Sequence, residues 1–391
     1  MPGYELIGEE ELKSLTQIFR ESNGVLFAHA HHDRRKGIYR VRNFEKAVEN
    51  KIKANHCVAV NSGTAAGYLA LKALGVGPGD EVITQAFTFV ATVEDILLCG
   101  ATPVVVNVDE TLNMCPQELA KAITPKTKCI FPVHMLGNPV RMDEIMAIAS
   151  KHDLPVVEDA CESLGATYKG RPVGTIGEIG VYSLDFNKTI TTGEGGLVVT
   201  NNPKLKQEVL YLHDHGHWAN PELPRGQELP AAVGFNFRMT EMQAAVGISQ
   251  LEKIDLIVRK NRENKAKLKA ALTASIASHV KFREITDVEG DLSDTLIFYM
   301  PTKEKAQNVA KALAKVGVGT KNLPDALTWH FAENWGHMWK DSPLYANSYK
   351  QAWARSRELL ERSISLPIMV LSTEAEIKAT AEKVIQAVIA S

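Results

Sequence analysis

The chain reads as an α/β protein with a mostly parallel, mixed sheet, helices on both faces, and a smaller C-terminal α+β unit. Three observations predict this. Short apolar runs alternate with helical segments over about half the chain, the pattern of strands joined by crossovers. Beyond Asn236 the texture changes to one long helical pattern. The composition, 391 residues with 45% hydrophobic and 23% charged, is that of a globular chain long enough for more than one core.

The elements follow in order. Cys57 to Val60 is a strand-like CVAV, and the NSGTAAGYLALKAL after it places Ala65, Leu69, Leu71 and Ala73 on a helix suited to cover a sheet. GVGPGDEVIT turns into a second strand, and TPVVVNV (102–108), TKCIFPV (127–133) and LPVVED (154–159) continue the series. Helices are expected at Val93 to Leu98, Pro116 to Ile123 and Met142 to His152. A further apolar run holds Val181, Tyr182 and Leu184, and the hairpin signal Gly193-Glu194-Gly195-Gly196 leads into Leu197-Val198-Val199. The pattern starting RMTEMQAAVGISQL is a connecting helix. LIFYMP is then a strand, EKAQNVAKALAKVG a helix, and Trp329 to Trp339 an aromatic loop. Thr373 with Glu376 forms a capping box for a last helix whose Ile377, Ala381, Val384 and Val388 share a face. The expected division is a large domain at 1–250, with 1–40 at the mouth of its site, and a small domain at 251–391.

A formal net charge of −2 gives no global attraction to nucleic acid or to a membrane surface. The N-terminus, MPGYELIGEEELKSL, is acidic where a signal peptide would be basic and then apolar. No run approaches the roughly 20 apolar residues of a membrane span, so a cytoplasmic location is expected. The five cysteines are scattered without a CxxC pair, which argues against a disulfide framework or a structural zinc. His213, His215 and His217 alternate in HDHGH, yet zinc sites usually add cysteine or carboxylate ligands, and no metal is expected.

Three segments carry chemistry. Lys188 stands where two strands end; an amine held there and partly desolvated loses its proton more easily and attacks an aldehyde. Ser62-Gly63-Thr64-Ala65 lies between a strand and a helix start, where backbone N–H groups and the helix dipole suit a single phosphate. It lacks GxxxxGK[ST], so it is not a nucleotide loop of that type. Asp159 closes LPVVED at the carboxyl edge of a strand, the edge where open α/β sheets bind ligands. A phosphate cradle, a strand-end aspartate and a nucleophilic lysine are the parts pyridoxal phosphate requires.

The chain resembles the DegT/DnrJ/EryC1/StrS family of sugar aminotransferases, of the aspartate aminotransferase-like fold type I. The resemblance rests on FEKAVENKI from Phe44, VNSGTAAGYLALKALGVGPGDEVIT from Val60, FTFVAT from Phe87 and GATPVVVNVD from Gly100. It continues through PVHMLGNPVRMDEI from Pro132, VVEDACESLGA from Val156, TTGEGGLVVT from Thr191 and GFNFRMTEMQAAVGISQL from Gly234. It implies that Lys188 is the Schiff-base lysine and proton shuttle, and Asp159 the partner of the pyridine nitrogen. Ser62, Gly63, Thr64 and Ser183 would hold the phosphate and Phe89 would stack on the ring. Glu162 would lie near the ring hydroxyl, where relatives often have glutamine. Asn236 would reach the phosphate of a neighbouring subunit, making a homodimer with shared sites.

A deoxygenating branch of the family has histidine at the lysine position, so Lys188 implies transamination, with L-glutamate as donor and a keto or aldehyde sugar as acceptor. The basic run His29, His31, His32, Arg34, Arg35 and Lys36 reads as an anion clamp. With the aromatic tract from Asn322 to Lys340, and with His134, Trp329 and His330 near the substrate, it suggests a sugar acid. The implied acceptor is 8-oxo-3-deoxy-octulosonate, giving 8-amino-3,8-dideoxy-octulosonate for lipopolysaccharide. The alternative acceptor is a nucleotide-linked 3-keto- or 4-keto-6-deoxysugar. A pyridoxal-binding regulator that keeps the fold without turnover is the reading from another class.

Overall fold

The computed structural model of the chain describes residues 3–21, 24–26, 35–218, 223, 225–320, 323–324 and 326–391. Within these, helices α1 (Glu9–Glu21) and α2 (Arg40–Ile52) precede strand β1 (His56–Val60). There follow α3 (Gly63–Ala73), β2 (Glu81–Gln85), α4 (Ala91–Leu98), β3 (Thr102–Val106), α5 (Pro116–Ala122), β4 (Thr127–Ile130), α6 (Met142–Lys151) and β5 (Val157–Asp159). A small ribbon, β6 (Thr167–Tyr168) with β7 (Arg171–Pro172), leads to β8 (Ile179–Ser183), β9 (Gly196–Thr200) and α7 (Pro203–His213).

The strands pair as β1-β9-β8-β5 and β3-β2-β4. Parallel bridges Ile130 to Val156 and Val133 to Asp159 join the two sets. Among the described residues the result is one sheet in the order β3-β2-β4-β5-β8-β9-β1, in which β9 alone runs against its neighbours. Alternation of side chains explains why both faces are covered. Val58, Val60, Ile179, Val181 and Val198 point into the core shared with α3 and α7. Their chain neighbours Cys57, Ala59, Tyr182, Leu197 and Val199 point into the opposite core, with α2 and α6.

α8 (Glu241–Ile276) is 36 residues long and starts at a capping box, Thr240 with Gln243. The expected division at residue 250 falls inside this helix. Its first half supplies Ala244, Leu251, Ile254 and Ile257 to the large sheet's core. Its second half supplies Leu268, Leu272 and Ile276 to a separate core, shared with β10 (Lys281–Phe282), β11 (Thr295–Tyr299), α9 (Lys303–Lys315) and β12 (Ser363–Pro367). These three strands form an antiparallel sheet, order β10-β11-β12. The last helix, Glu374–Ile389, is capped by Thr373 and Glu376 as its sequence requires.

The aromatic tract does not fill this small core. Trp335, Trp339 and Trp353 pack with Phe87, Val93 and Val105 from the edge of the large sheet. The indole N–H of Trp353 donates to the Val105 carbonyl at 2.9 Å, and that of Trp339 to Ala332 at 2.7 Å. A buried indole needs such a partner, and the exposed edge of β3 offers free carbonyls.

Candidate active site

The carboxyl ends of β1, β5 and β8 open on a cavity of about 610 Å³. Its wall includes Ser62, Gly63, Thr64, Phe89, Asp159, Glu162, Ser183 and Lys188. These positions, more than 120 residues apart in sequence, meet because the sheet order puts β1 and β5 on either side of β8 and β9.

α3 begins directly at the cavity. Ser62 caps it, its Oγ accepting the Ala65 N–H at 3.0 Å. Gly63 is required by close approach: a Cβ there would lie 2.7 Å from Ser183 Cβ and 3.0 Å from its Oγ. The missing side chain leaves the first-turn N–H groups accessible, with the Ser183 hydroxyl beside them, so the cradle fits an anion the size of a phosphate.

Asp159 is 7% exposed. Thr92, on the first turn of α4, donates its hydroxyl to Oδ2 at 2.8 Å, and the Cys161 N–H donates to Oδ1 at 3.1 Å. Burial pushes the carboxyl's pKa up, against these hydrogen bonds and the Lys188 charge. A buried carboxylate in this state is a ready partner for a protonated ring nitrogen.

Lys188 sits on the loop between β8 and β9, its Nζ 3.5 Å from Glu162 Oε1. Glu162 Oε2 accepts the Leu136 N–H at 3.2 Å, which aims the carboxylate. Partial desolvation was expected to ease the lysine's proton loss. Burial does pull its pKa down, yet Glu162, with Cys161, Asp185 and Asp159, outweighs it and the net shift is upward. Without a ligand, Lys188 is an ammonium held by carboxylates.

Phe89 lines the cavity with its ring 44% exposed, tilted against His330 at a centroid distance of 5.4 Å. His330 lines the cavity too, its Nδ1–H donating to the Ala326 carbonyl at 2.9 Å. The segment carrying it is bridged to Phe87 through Phe331, with Thr88 N–H donating to the His330 carbonyl at 3.0 Å.

Several expected residues stand elsewhere. Trp329 is 59% exposed and outside the cavity wall. His134 is fully buried away from it: Nδ1 accepts the Val140 N–H at 3.0 Å, so Nε2 donates to Glu158 at 3.0 Å. Both nitrogens are committed, one to the Val140 amide and one to the Glu158 carboxylate, which corrects its expected substrate role. Arg35 is 1% exposed and 3.3 Å from Glu241 at the start of α8, so it anchors its segment rather than clamping a substrate. His29, His31, His32 and Arg34 lie outside the described residues. Asn236 is exposed and not on the cavity wall of its own chain, its carbonyl accepting from Asn61 at 3.4 Å. In HDHGH, His213 Nδ1 bonds the Leu210 carbonyl and His217 Nδ1 bonds Glu228.

Sequence reasoning missed Tyr4, Thr92, Asp95 and Thr320, all on the cavity wall. Asp95 carried a signal, an acid on the apolar face of α4. It is 2% exposed, its Oδ1 has no hydrogen-bond partner among the described residues, and its Oδ2 occupies the space a Gly67 side chain would fill.

Comparison with known proteins shows the family of the chain. The model of the DegT/DnrJ/EryC1/StrS aminotransferase family matches residues 28–386. A GDP-perosamine synthase of Caulobacter vibrioides is 45% identical over 54% of this chain and 56% of its own length. The spore coat polysaccharide biosynthesis protein SpsC of Bacillus subtilis is 40% identical over 66% and 65%. The chain thus spans between half and two thirds of these two relatives. An aminotransferase structure from Psychrobacter cryohalolentis superposes with a TM-score of 0.86 at 29% identity, covering 98% of this chain and 97% of that one.

Proposed function

The chain belongs to the DegT/DnrJ/EryC1/StrS aminotransferase family, and we propose that it uses pyridoxal 5'-phosphate to move the amino group of L-glutamate onto a keto or aldehyde sugar. The observation that carries this is the meeting of Lys188 and Asp159 on one cavity beneath the N-terminus of α3. When bound, the cofactor supplies a carbonyl that takes up amines and a ring that accepts electrons.

The residues divide the remaining work. Gly63 and Thr64 N–H groups with the Ser183 hydroxyl bind the phosphate, and Phe89 offers a flat apolar face to the ring. Asp159, oriented by Thr92 and the Cys161 amide, holds the proton on the ring nitrogen. Lys188 would have to give up its proton to become a nucleophile, against the Glu162 carboxylate 3.5 Å from its Nζ that favours the ammonium. Its Nζ then carries a proton to and from the reacting carbon. Asn236, exposed and not on the wall of its own cavity, suits a contact to the phosphate of a second subunit in a homodimer. Among the described residues no helix is long and apolar enough to cross a membrane.

For the acceptor we propose 8-oxo-3-deoxy-octulosonate, with lipopolysaccharide as the destination of its product. Support comes from His330, which the aromatic tract brings to the cavity wall with its Nδ1 already engaged. Its Nε2 can then accept a hydrogen bond from a sugar hydroxyl. A specific observation favours a second reading, a nucleotide-linked keto-sugar: the relative at 45% identity is a GDP-perosamine synthase.

Two measurements test these readings. Lys188→Ala should lower glutamate-dependent turnover roughly a hundred- to ten-thousand-fold, and retention of full transamination would refute the assignment. The glutamate-reduced, amine-loaded enzyme should recover its original absorption with 8-oxo-3-deoxy-octulosonate. Recovery only with a nucleotide-linked 4-keto-sugar selects the second reading.

A further inference from the structure

An aminotransferase must accept two unlike substrates in turn at one cavity, and a contact useful to only one of them sets selectivity. The N-terminal turn Gly3–Leu6 brings such a contact. It is tied down at three points. Gly3 N–H donates to the Lys188 carbonyl at 2.9 Å, and a side chain on Gly3 would lie 2.6 Å from that oxygen. The Glu5 carboxylate accepts the N–H groups of Val370 and Leu371 at 3.0 and 3.1 Å, next to the cavity residue Met369. The Leu6 carbonyl accepts from Lys253 Nζ of α8 at 2.6 Å.

Between these ties, Tyr4 lines the cavity in company with Lys188, Asn187 and His330. Its ring stacks on Phe186 at 5.0 Å and 14°, yet both rings stay exposed, 36% and 50%. A pair held this rigidly while still wet is poorly explained by core packing, since aromatic rings stabilise chiefly through the area they bury. It is well suited to meet a ligand. A sugar ring presents C–H groups that an aromatic face attracts, and hydroxyls that a phenol can pair with. Glutamate has no such ring face.

We propose that Tyr4, buttressed by Phe186, is a specificity-determining residue that binds the sugar acceptor, with the turn around it holding that ring in register with Lys188. The inference rests on the sugar aminotransferase reading above. The test uses the full chain loaded with pyridoxal phosphate, comparing wild type, Tyr4→Ala and Tyr4→Phe. KM is measured for glutamate and for whichever acceptor the wild type uses, 8-oxo-3-deoxy-octulosonate or a nucleotide-linked 4-keto-sugar. Cofactor affinity is read from absorption. Tyr4→Ala should raise acceptor KM relative to glutamate KM roughly tenfold, as expected for one lost aromatic contact. Tyr4→Phe should restore most of that difference. An unchanged KM ratio overturns the inference, as does loss of cofactor affinity in step with both KM values, which would make Tyr4 a support for the Lys188 loop alone. If wild type aminates neither sugar, the underlying reading fails first, and does so before any variant is compared.

Discussion

Two buried carboxyl groups on the cavity wall, Glu162 and Asp95, set much of its behaviour. Glu162 is the main charge holding Lys188 as an ammonium. Glu162→Gln keeps the shape and removes that charge, so the lysine pKa falls. The pH profile for cofactor capture, followed by absorption, should move towards lower pH. Asp95 behaves differently. Burial, then the charges of Asp159 and Glu94, push its pKa well above the ordinary carboxylate range. A raised folded-state pKa means a contribution that is fully present below the unfolded value and lost as pH rises through the folded one. Asp95→Ala should therefore stabilise the cofactor-free protein, by about 1–3 kcal/mol near pH 8 and less near pH 5. Chemical denaturation at the two pH values checks both size and sign. Asp159 was legible because it ends a strand within a recognisable block, Lys188 because it stands between two strand signals, and Glu162 through the family resemblance. Thr92 was not, since it matters only through where it lies.

At the scale of elements, the start of α3 is tightly constrained by its surroundings. Helix starts attract Ser and Thr for capping alone, so SGTA announces a helix without announcing a ligand. What makes it a cradle is β8, which brings Ser183 so near that Gly63 has no room for a side chain. Gly63→Ala must displace Ser183 or the helix start. The expected result is a cofactor dissociation constant raised at least about tenfold, or roughly 1.4 kcal/mol, with a smaller loss of thermal stability. Fluorescence titration of the cofactor-free protein reads it. The strands β1 to β5 and helices α3 to α6 were plain from their apolar periods, and the Thr373 capping box marked the last helix correctly, whereas α1, α2 and α7 were not read. The basic run read as a clamp was misjudged at Arg35. Local charge density gave no sign that Glu241, 206 residues later, would bury that guanidinium.

Across the whole molecule, α8 joins two cores and the aromatic tract crosses back from the smaller one to the edge of the large sheet. This return is what places His330 at the cavity. Trp353 is its main anchor, 1% exposed and bonded to the Val105 carbonyl. Trp353→Ala should cost about 3–5 kcal/mol and raise acceptor KM as the His330 segment loosens, measurable by denaturant melts and steady-state kinetics.

The sequence by itself determined the alternating sheet domain, the candidate lysine and aspartate, and the family, because apolar periodicity and ordered motif blocks are local properties written residue by residue. Only the tertiary structure decided that His134 is a structural residue, that Arg35 is an anchor, and that Tyr4 and Asp95 reach the cavity. Those outcomes depend on which distant partner fills a hydrogen bond or a missing side chain's space, and long-range packing alone supplies that partner.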